Sequence, residues 1–501
     1  MIWLSAGSVA AAAVLAPLSG GPAWAARAVP KRVAAVPSVD DSAQSSPQSG
    51  GSVALGPDDG AVGVLVAAPK VPVGSGPARN ATLLDFAMGD RLSVKVNAGS
   101  GNLLIASTDL TLPGINEDVT LGAAYNSLLV GSGVADGSLG VGWRVRSGVD
   151  VRLVKNDDSS LTYLAADGVA GKFTPSGAGY TSPGEFKATL AKNGTGWKLT
   201  EHSTGKNLYF TAAGLLDKSV DRDGNTTDFS YDTAGHQTTV TSARGSDAAR
   251  TATVTYNAAG RIASYKQEID STLRTVVYGY DTAGRLATIT SPTQKVTTYG
   301  YDTANRVSAI TNPAGDRDTV SYDSQGRVTS LTKVTEAADK GATTRLAYPS
   351  STQTQIADAT TDLSKPVASV PHTTYTVDSN ARVTKSVDPA GKTRSKSYTP
   401  FQDIATATSA TGGQTTNSYG ANGGESATKS ESPTGASASA AYGNSPTTAN
   451  PTAAYQPSSV TNTQGNTSVF TYNGPGNQTS TKDASAAEAK VDYNDNGTVK
   501  T

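Results

Sequence analysis

An all-β fold, assembled from a repeated unit of two short antiparallel strands, is what this sequence predicts. Three observations carry that expectation. The stretch from Tyr280 reads Y-D-T-A-G-R-L, then Y-D-T-A-N-R-V, then Y-D, so that Tyr280, Tyr301 and Tyr322 stand 21 residues apart without a gap. A fixed period of this size marks a repeat architecture. Before the first of these units, Val276, Tyr278 and Tyr280 alternate at period two, which places their side chains on one face of a strand. Composition agrees: 37% of the 501 residues are hydrophobic, only 17% are charged and 52 are Gly, a turn-rich profile that suits strands better than helices.

Within one unit, Asp281-Thr282-Ala283-Gly284 asks for a turn. The Asp carboxylate can accept a hydrogen bond from the backbone two residues on, and Gly takes a positive φ without a Cβ clash. Asn305 replaces that Gly in the next unit, and Asn is the usual non-Gly occupant of the left-handed region. Arg285 to Thr290 follows as a β-forming run, closed by Pro292, and Val296 to Tyr301 supplies the returning strand. Leu286 and Ile289 are three apart, so a regular strand cannot bury both on one face. Either a bulge intervenes or the sheet is packed on both sides.

The motif recurs as Tyr231-Asp232-x-x-Gly235, Tyr280-Asp281-x-x-Gly284-Arg285, Tyr301-Asp302-x-x-Asn305-Arg306 and Tyr322-Asp323-x-x-Gly326-Arg327, with Tyr256-Asn257-x-x-Gly260-Arg261 as a near match. This pattern resembles the YD repeat of RHS and teneurin-like proteins. The resemblance covers roughly residues 90 to 501. It implies an all-β array forming part of a spiralling β-shell, preceded by a β-rich capping domain. In such relatives the shell encloses a C-terminal toxin or effector, and carbohydrate binding has been attached to the family. Two partner classes follow: a toxin cargo, C-terminal or separately encoded, or glycans and other cell-surface partners. The leading expectation is a non-enzymatic, secreted shell or scaffold, similar to the encapsulating part of a bacterial polymorphic toxin without its toxin domain. The alternative is a cell-surface carbohydrate-binding or adhesion module.

Taken in order, the chain opens with an export signal over residues 1–25, where Ser8 to Leu18 forms the apolar run and Ala23-Trp24-Ala25 the cleavage site. The mature protein is then expected to begin at Ala26. The apolar run falls short of a membrane span of about 20 residues, so no stable transmembrane anchor is expected. Residues 26–80 are rich in Pro, Gly, Ser and Ala and read as a disordered linker. Residues 90–217 form the β-rich domain. There Val94-Lys95-Val96 and Leu103-Leu104-Ile105 flank a Gly-Ser-Gly-Asn turn, and Trp143 is a core aromatic that caps the array. Residues 218–501 are the repeats, best formed over 231–333 and degenerate after 400. Tyr markers run on through Tyr348, Tyr375, Tyr398, Tyr419 and Tyr442 to Tyr493. The sequence stops at Thr501, in mid-unit, so an N-terminal fragment of a longer protein is expected.

Chemistry-bearing constellations are few. Net charge is −1, which gives no electrostatic footprint for nucleic acid. With no Cys, disulfides and thiol catalysis are excluded. Asp221-Arg222-Asp223-Gly224-Asn225 reads as a hairpin turn in preference to a calcium loop, since Thr226 stands where an EF-hand loop needs Gly. His202, His236 and His372 are isolated, and His236 occupies the slot where other units carry Arg. A triad assembled in space stays open, but no catalytic, metal or cofactor motif is found. The repeated Tyr residues read as core, with an exposed sugar-stacking ladder as the second reading. The Arg after each turn is expected to pair with a neighbouring Asp on the outer rim, contributing little.

Overall fold

The computed structural model describes residues 70–500 apart from 87, 245–246, 270, 421–424 and 443–451. The expected export signal at 1–25 and most of the 26–80 linker lie outside the described residues. Among those described, the structure is strand and turn, with three-residue 3-10 turns as the only helical pieces.

Two large bodies of strand share one core with a small two-stranded sheet, Leu110–Leu112 with Val119–Leu121. The first is a five-stranded sheet made by Leu83–Asp85, Leu92–Asn97, Leu103–Ser107, Ala123–Asn126 and Trp143–Val145. Its central hairpin pairs Val94 with Ile105 and Val96 with Leu103, as the Gly-Ser-Gly-Asn turn requires. The second body is a continuous antiparallel ribbon from Arg152–Lys155 to Glu488–Lys490, each strand paired with the next. Near its start, Arg152 also bridges to Leu215 and the Leu153 N–H donates to the Gly214 carbonyl at 2.9 Å, so the first strands close on themselves. Pairing runs unbroken from Asn207–Phe210 through Leu216–Val220 to Thr226–Tyr231, across the point where the sequence motif begins.

The five-stranded sheet plugs the ribbon. Val94, Ile105, Tyr125 and Trp143 belong to the same hydrophobic cluster as Val276, Ile310 and Leu331. Trp143 is fully buried, its ring 5.0 Å from Tyr125 and 4.7 Å from Tyr299, and its Nε1–H donates to the Tyr301 hydroxyl at 2.9 Å. It is the core aromatic that the sequence indicates. The Val307 N–H donates to the Tyr125 hydroxyl, and the Val328 N–H to the Gly101 carbonyl, both at 2.9 Å.

Residues 70–80, read from composition as the end of a linker, are held in place. The Gly76 N–H donates to Asn126 Oδ1 at 2.6 Å, and Arg79 pairs with Asp403 at 2.5 Å. Local composition misses this because the anchoring partners are distant in sequence.

The question left by Leu286 and Ile289 is settled by a bulge. Gly279 pairs with Thr288 but Tyr280 pairs with Leu286, so Ala287 is the extra residue. The bulge turns both Leu286 and Ile289 inward, 0% and 5% exposed. The same register shift recurs at Tyr301, Tyr322, Tyr398, Tyr419 and Tyr472.

Candidate functional site: the repeat motif and the inner wall

Each letter of the motif has a separate physical task. Asp281 Oδ1 accepts the backbone N–H groups of Ala283 at 3.0 Å and Arg285 at 2.9 Å, which folds the turn. Asp302 and Asp323 do the same two and four residues on. Gly284 then sits at φ +75° and Asn305 at φ +64°, so this position does require the left-handed region. Gly235 and Gly326 match, at φ +82° and +81°.

Arg285 reaches back to Asp281 at 2.7 Å while its guanidinium lies 4.6 Å over the ring of Tyr301, the next marker. Arg306 pairs with Asp302 and covers Tyr322; Arg327 pairs with Asp323 and covers Tyr348. Burial works against the Asp281 carboxylate, but the bonds from Arg285 outweigh it and hold it below the usual range. The expected pairing of each Arg with a nearby Asp is present, but its place is not an open rim. The pairs lie within one turn, are largely shielded from solvent, and link successive units through the stacked ring.

The Tyr hydroxyls form a ladder. Tyr231, Tyr301, Tyr322, Tyr398, Tyr419, Tyr472 and Tyr493 each donate to the carbonyl fifteen residues upstream, at 2.5–2.9 Å. Tyr280 bonds Ile262 in the same manner. These eight rings thus have their hydroxyls spent on backbone, and several have one face under a guanidinium. In Tyr231-Asp232-x-x-Gly235 the Arg slot holds His236, which contacts Asp232 at 3.2 Å and packs 4.8 Å from Tyr256. A residue that sequence alone marks as a surface variant performs the Arg task.

One marker is misplaced by sequence reading. Val377 pairs with Val383 as Tyr280 pairs with Leu286, so Val377, not Tyr375, occupies the Tyr slot. The unit is Val377-Asp378-x-x-Ala381-Arg382, with Arg382 bonded to Asp378 at 2.6 Å and lying 4.1 Å over Tyr398. The D-x-x-x-R-V spacing was the available signal. Tyr375 stands two residues earlier, on the inner row, and is buried.

That inner row is the second feature sequence reading missed. Two residues before each marker slot stand Phe229, Val254, Tyr278, Tyr299, Val320, Leu346 and Tyr375, all buried. Then the row changes to Lys396 and Asn417. The plug covers the apolar part of this row. Around Lys396 the wall is bare, with Ile404 and Ala407 only half-buried. Two carboxylates are buried on this side of the wall: Asp109 of the plug segment, which accepts from the Tyr278 hydroxyl at 2.8 Å, and Asp318, 2% exposed and paired across the ladder with Ile310 and Lys333. Burial pushes each up to about 6.

The ribbon curves until its early and late turns meet. Asp403 receives both Arg79 and Lys187, the latter at 2.8 Å, and Arg222 donates to the Gly476 carbonyl at 2.8 Å. Asn477 donates to Asp223, while Asn116 and Asn225 both donate to the Asn496 carbonyl. In the Asp221–Asn225 segment, Asp221 Oδ1 accepts from Asp223 and Asn225 at 2.9 Å, the turn geometry expected there. At the same seam His202 lies between Thr189 Oγ1 at 2.8 Å and Glu425 at 2.6 Å, with Tyr455 stacked on its ring at 4.4 Å. Among the described residues no group of three or more His, Asp or Glu side chains is placed to hold a metal ion. No helix among them is long and apolar enough to cross a membrane.

Residues 246–398 match the Teneurin YD-shell family model, residues 210–248 match the RHS Repeat, and residues 94–173 match a domain of unknown function, DUF6531. No curated protein matches the chain. Among solved structures, a crystal structure of TcdB2-TccC3-TEV is similar at 12% identity and TM-score 0.38, covering 86% of this chain and 24% of that one. The Photorhabdus luminescens Tc holotoxin pore with a TccC3 mutation is similar at 12% identity and TM-score 0.30, covering 83% of this chain and 27% of that one. The chain thus spans about a quarter of the length of these two structures.

Proposed function

Because the chain is an RHS/YD-repeat protein, we propose that it serves as the wall of a hollow β-shell that encloses a polypeptide, in the manner of a toxin-associated scaffold. The observation that carries this reading is the curved ribbon itself. Its early and late turns are joined by Asp223, Asn477, Asn116 and the Asn496 carbonyl, while its inner row passes from plug-covered to bare. Secretion through the 1–25 signal belongs to the same reading. So does a structural role without catalysis: Thr189 stands within a paired strand and Tyr455 covers the His202 ring, which suits a clamp across the seam. Covered Tyr rings also speak against the sugar-stacking alternative.

Absence of Cys makes a direct test simple. Lys396→Cys on the inner wall should react with a small maleimide and resist a bulky polyethylene-glycol maleimide. Lys385→Cys on the other face should react with both. Equal reaction of both sites with the bulky reagent would refute an enclosing wall.

A further inference from the structure

The inner face of the late ribbon carries charge of one sign. From Val383 to Val491 the inward strand positions hold Ser386, Ala407, Thr415, Ser430, Ala440 and Phe470, together with Arg394 and Lys396. Arg394 pairs across the ladder with inward Ser386, and Lys396 with inward Ala407. Period two puts both cations on the same face of one strand. No carboxylate occupies an inward strand position of this region among the described residues. Acidic side chains such as Glu431 and Glu488 lie on the opposite face, where each meets its own Lys.

Lys396 is exposed, yet it makes no ion pair among the described residues. Surrounding protein hems it in, and that desolvation pushes its ammonium down from its ordinary value. Arg394 has only a long contact to Asp388, at 3.6 Å. Directly across from it, Ser386 is 1% exposed, so it lies beneath the cations and leaves them as the accessible groups of this face. Asp388 meets Arg394 only at 3.6 Å and no carboxylate pairs with Lys396 among the described residues, so the two cations on this concave wall are incompletely neutralised and suit an anionic partner.

We propose that the bare inner patch formed by Arg394 and Lys396 is a docking site for an acidic polypeptide segment held inside the shell. The proposal rests on the enclosing-wall reading and adds the chemistry of the contact. An extended segment suits a strand-built wall, with carboxylates meeting Arg394 and Lys396.

The full chain is titrated with a fluorescein-labelled peptide of ten Glu residues at low salt, read by anisotropy. A ten-Lys peptide and a ten-nucleotide oligo-dT serve as comparison probes. Binding of the Glu peptide should weaken by about tenfold in Arg394→Gln/Lys396→Gln and weaken again as salt rises, while Lys385→Gln on the opposite face leaves it unchanged. No binding of the Glu peptide, equal binding by the double variant, or oligo-dT binding as tightly would overturn the proposal. Circular dichroism of each variant confirms that it is folded, which exposed polar replacements should preserve. The outcome is separable from the wall itself: the maleimide comparison reports enclosure whether or not the Glu peptide binds.

Discussion

The units between Tyr280 and Arg327 and those after Val383 follow one backbone plan and differ in what their inner face meets. Both have the bulge and a Tyr hydroxyl on a carbonyl fifteen residues upstream, although after Tyr398 and Tyr419 the motif's Asp gives way to Thr399 and Gly420. In the early units Leu286, Ile289, Val307, Ile310 and Leu331 pack against the plug and are nearly inaccessible. In the late units the corresponding positions hold Ser386, Ala407 and Ser430, and the cluster around Phe470 is a small separate one with Ala440 and Val460. The late units thus keep the hydrogen-bonded plan of the wall with little apolar burial, which is concentrated where the plug sits. Burial contributes roughly 25 cal/mol per Å² of apolar surface, so the early units should be much the more stable.

The largest test removes the plug's anchor. Trp143→Ala should cost about 3–5 kcal/mol in urea melts, as for other buried aromatic truncations, and should loosen the early units down toward the late ones. A loss below about 1 kcal/mol would mean the plug does not hold the ribbon. Next is the turn. Gly284→Val forces a β-branched residue to φ +75° and against Arg261, so it should cost about 1–3 kcal/mol more than Ala283→Val beside it. Equal melts for the two would remove the positive-φ account of the motif.

Acidity sharpens the comparison in the early units. Asp318 has a folded pKa of about 6, above the unfolded Asp value of about 3.9, so the folded chain binds this proton more tightly. Its ionised form therefore costs stability above pH 6, and the cost fades as pH falls through 6 toward 4. Asp318→Asn should be more stable than the parent by on the order of 1–2 kcal/mol at pH 8, with the gap closing by pH 4. A gap that is constant with pH would contradict the burial of an ionised carboxylate there. The smallest effect separates two rungs of the ladder. Tyr301→Phe strips a partner from both Leu286 and buried Trp143, whereas Tyr419→Phe strips one from Ile404 alone. The first should cost about 1 kcal/mol more than the second, and identical costs would put the ladder's worth in packing alone.

The fold was largely legible because the motif states its own local physics. Asp281 and Gly284 announce the turn, and Asn305 announces the positive φ. Leu286 and Ile289 announce an irregular strand without choosing its form, since a bulge is fixed by the partner strand's register. What stayed hidden is long-range. Arg79 with Asp403, His202 with Glu425 and Asn477 with Asp223 lie hundreds of residues apart, and no local pattern records such pairs. Tyr375 misled because a Tyr near the right spacing outweighed the D-x-x-x-R-V that follows Val377. Lys396 was invisible as a candidate because its meaning comes from the row it interrupts, and that row exists only once the register is known.

Native-state hydrogen exchange of the full chain tests the central claim most directly, that one hydrogen-bonded wall holds two regimes of stability set by the plug. Backbone amides of Ile262–Ile269, Leu286–Thr290 and Val307–Thr311 should be the slowest to exchange, with protection falling beyond Val383–Val387 through Ile404–Thr408 to Gln478–Lys482. Uniform protection from Ile262 to Lys482 would show that the bare-walled units are as stable as the plugged ones, and would contradict the account.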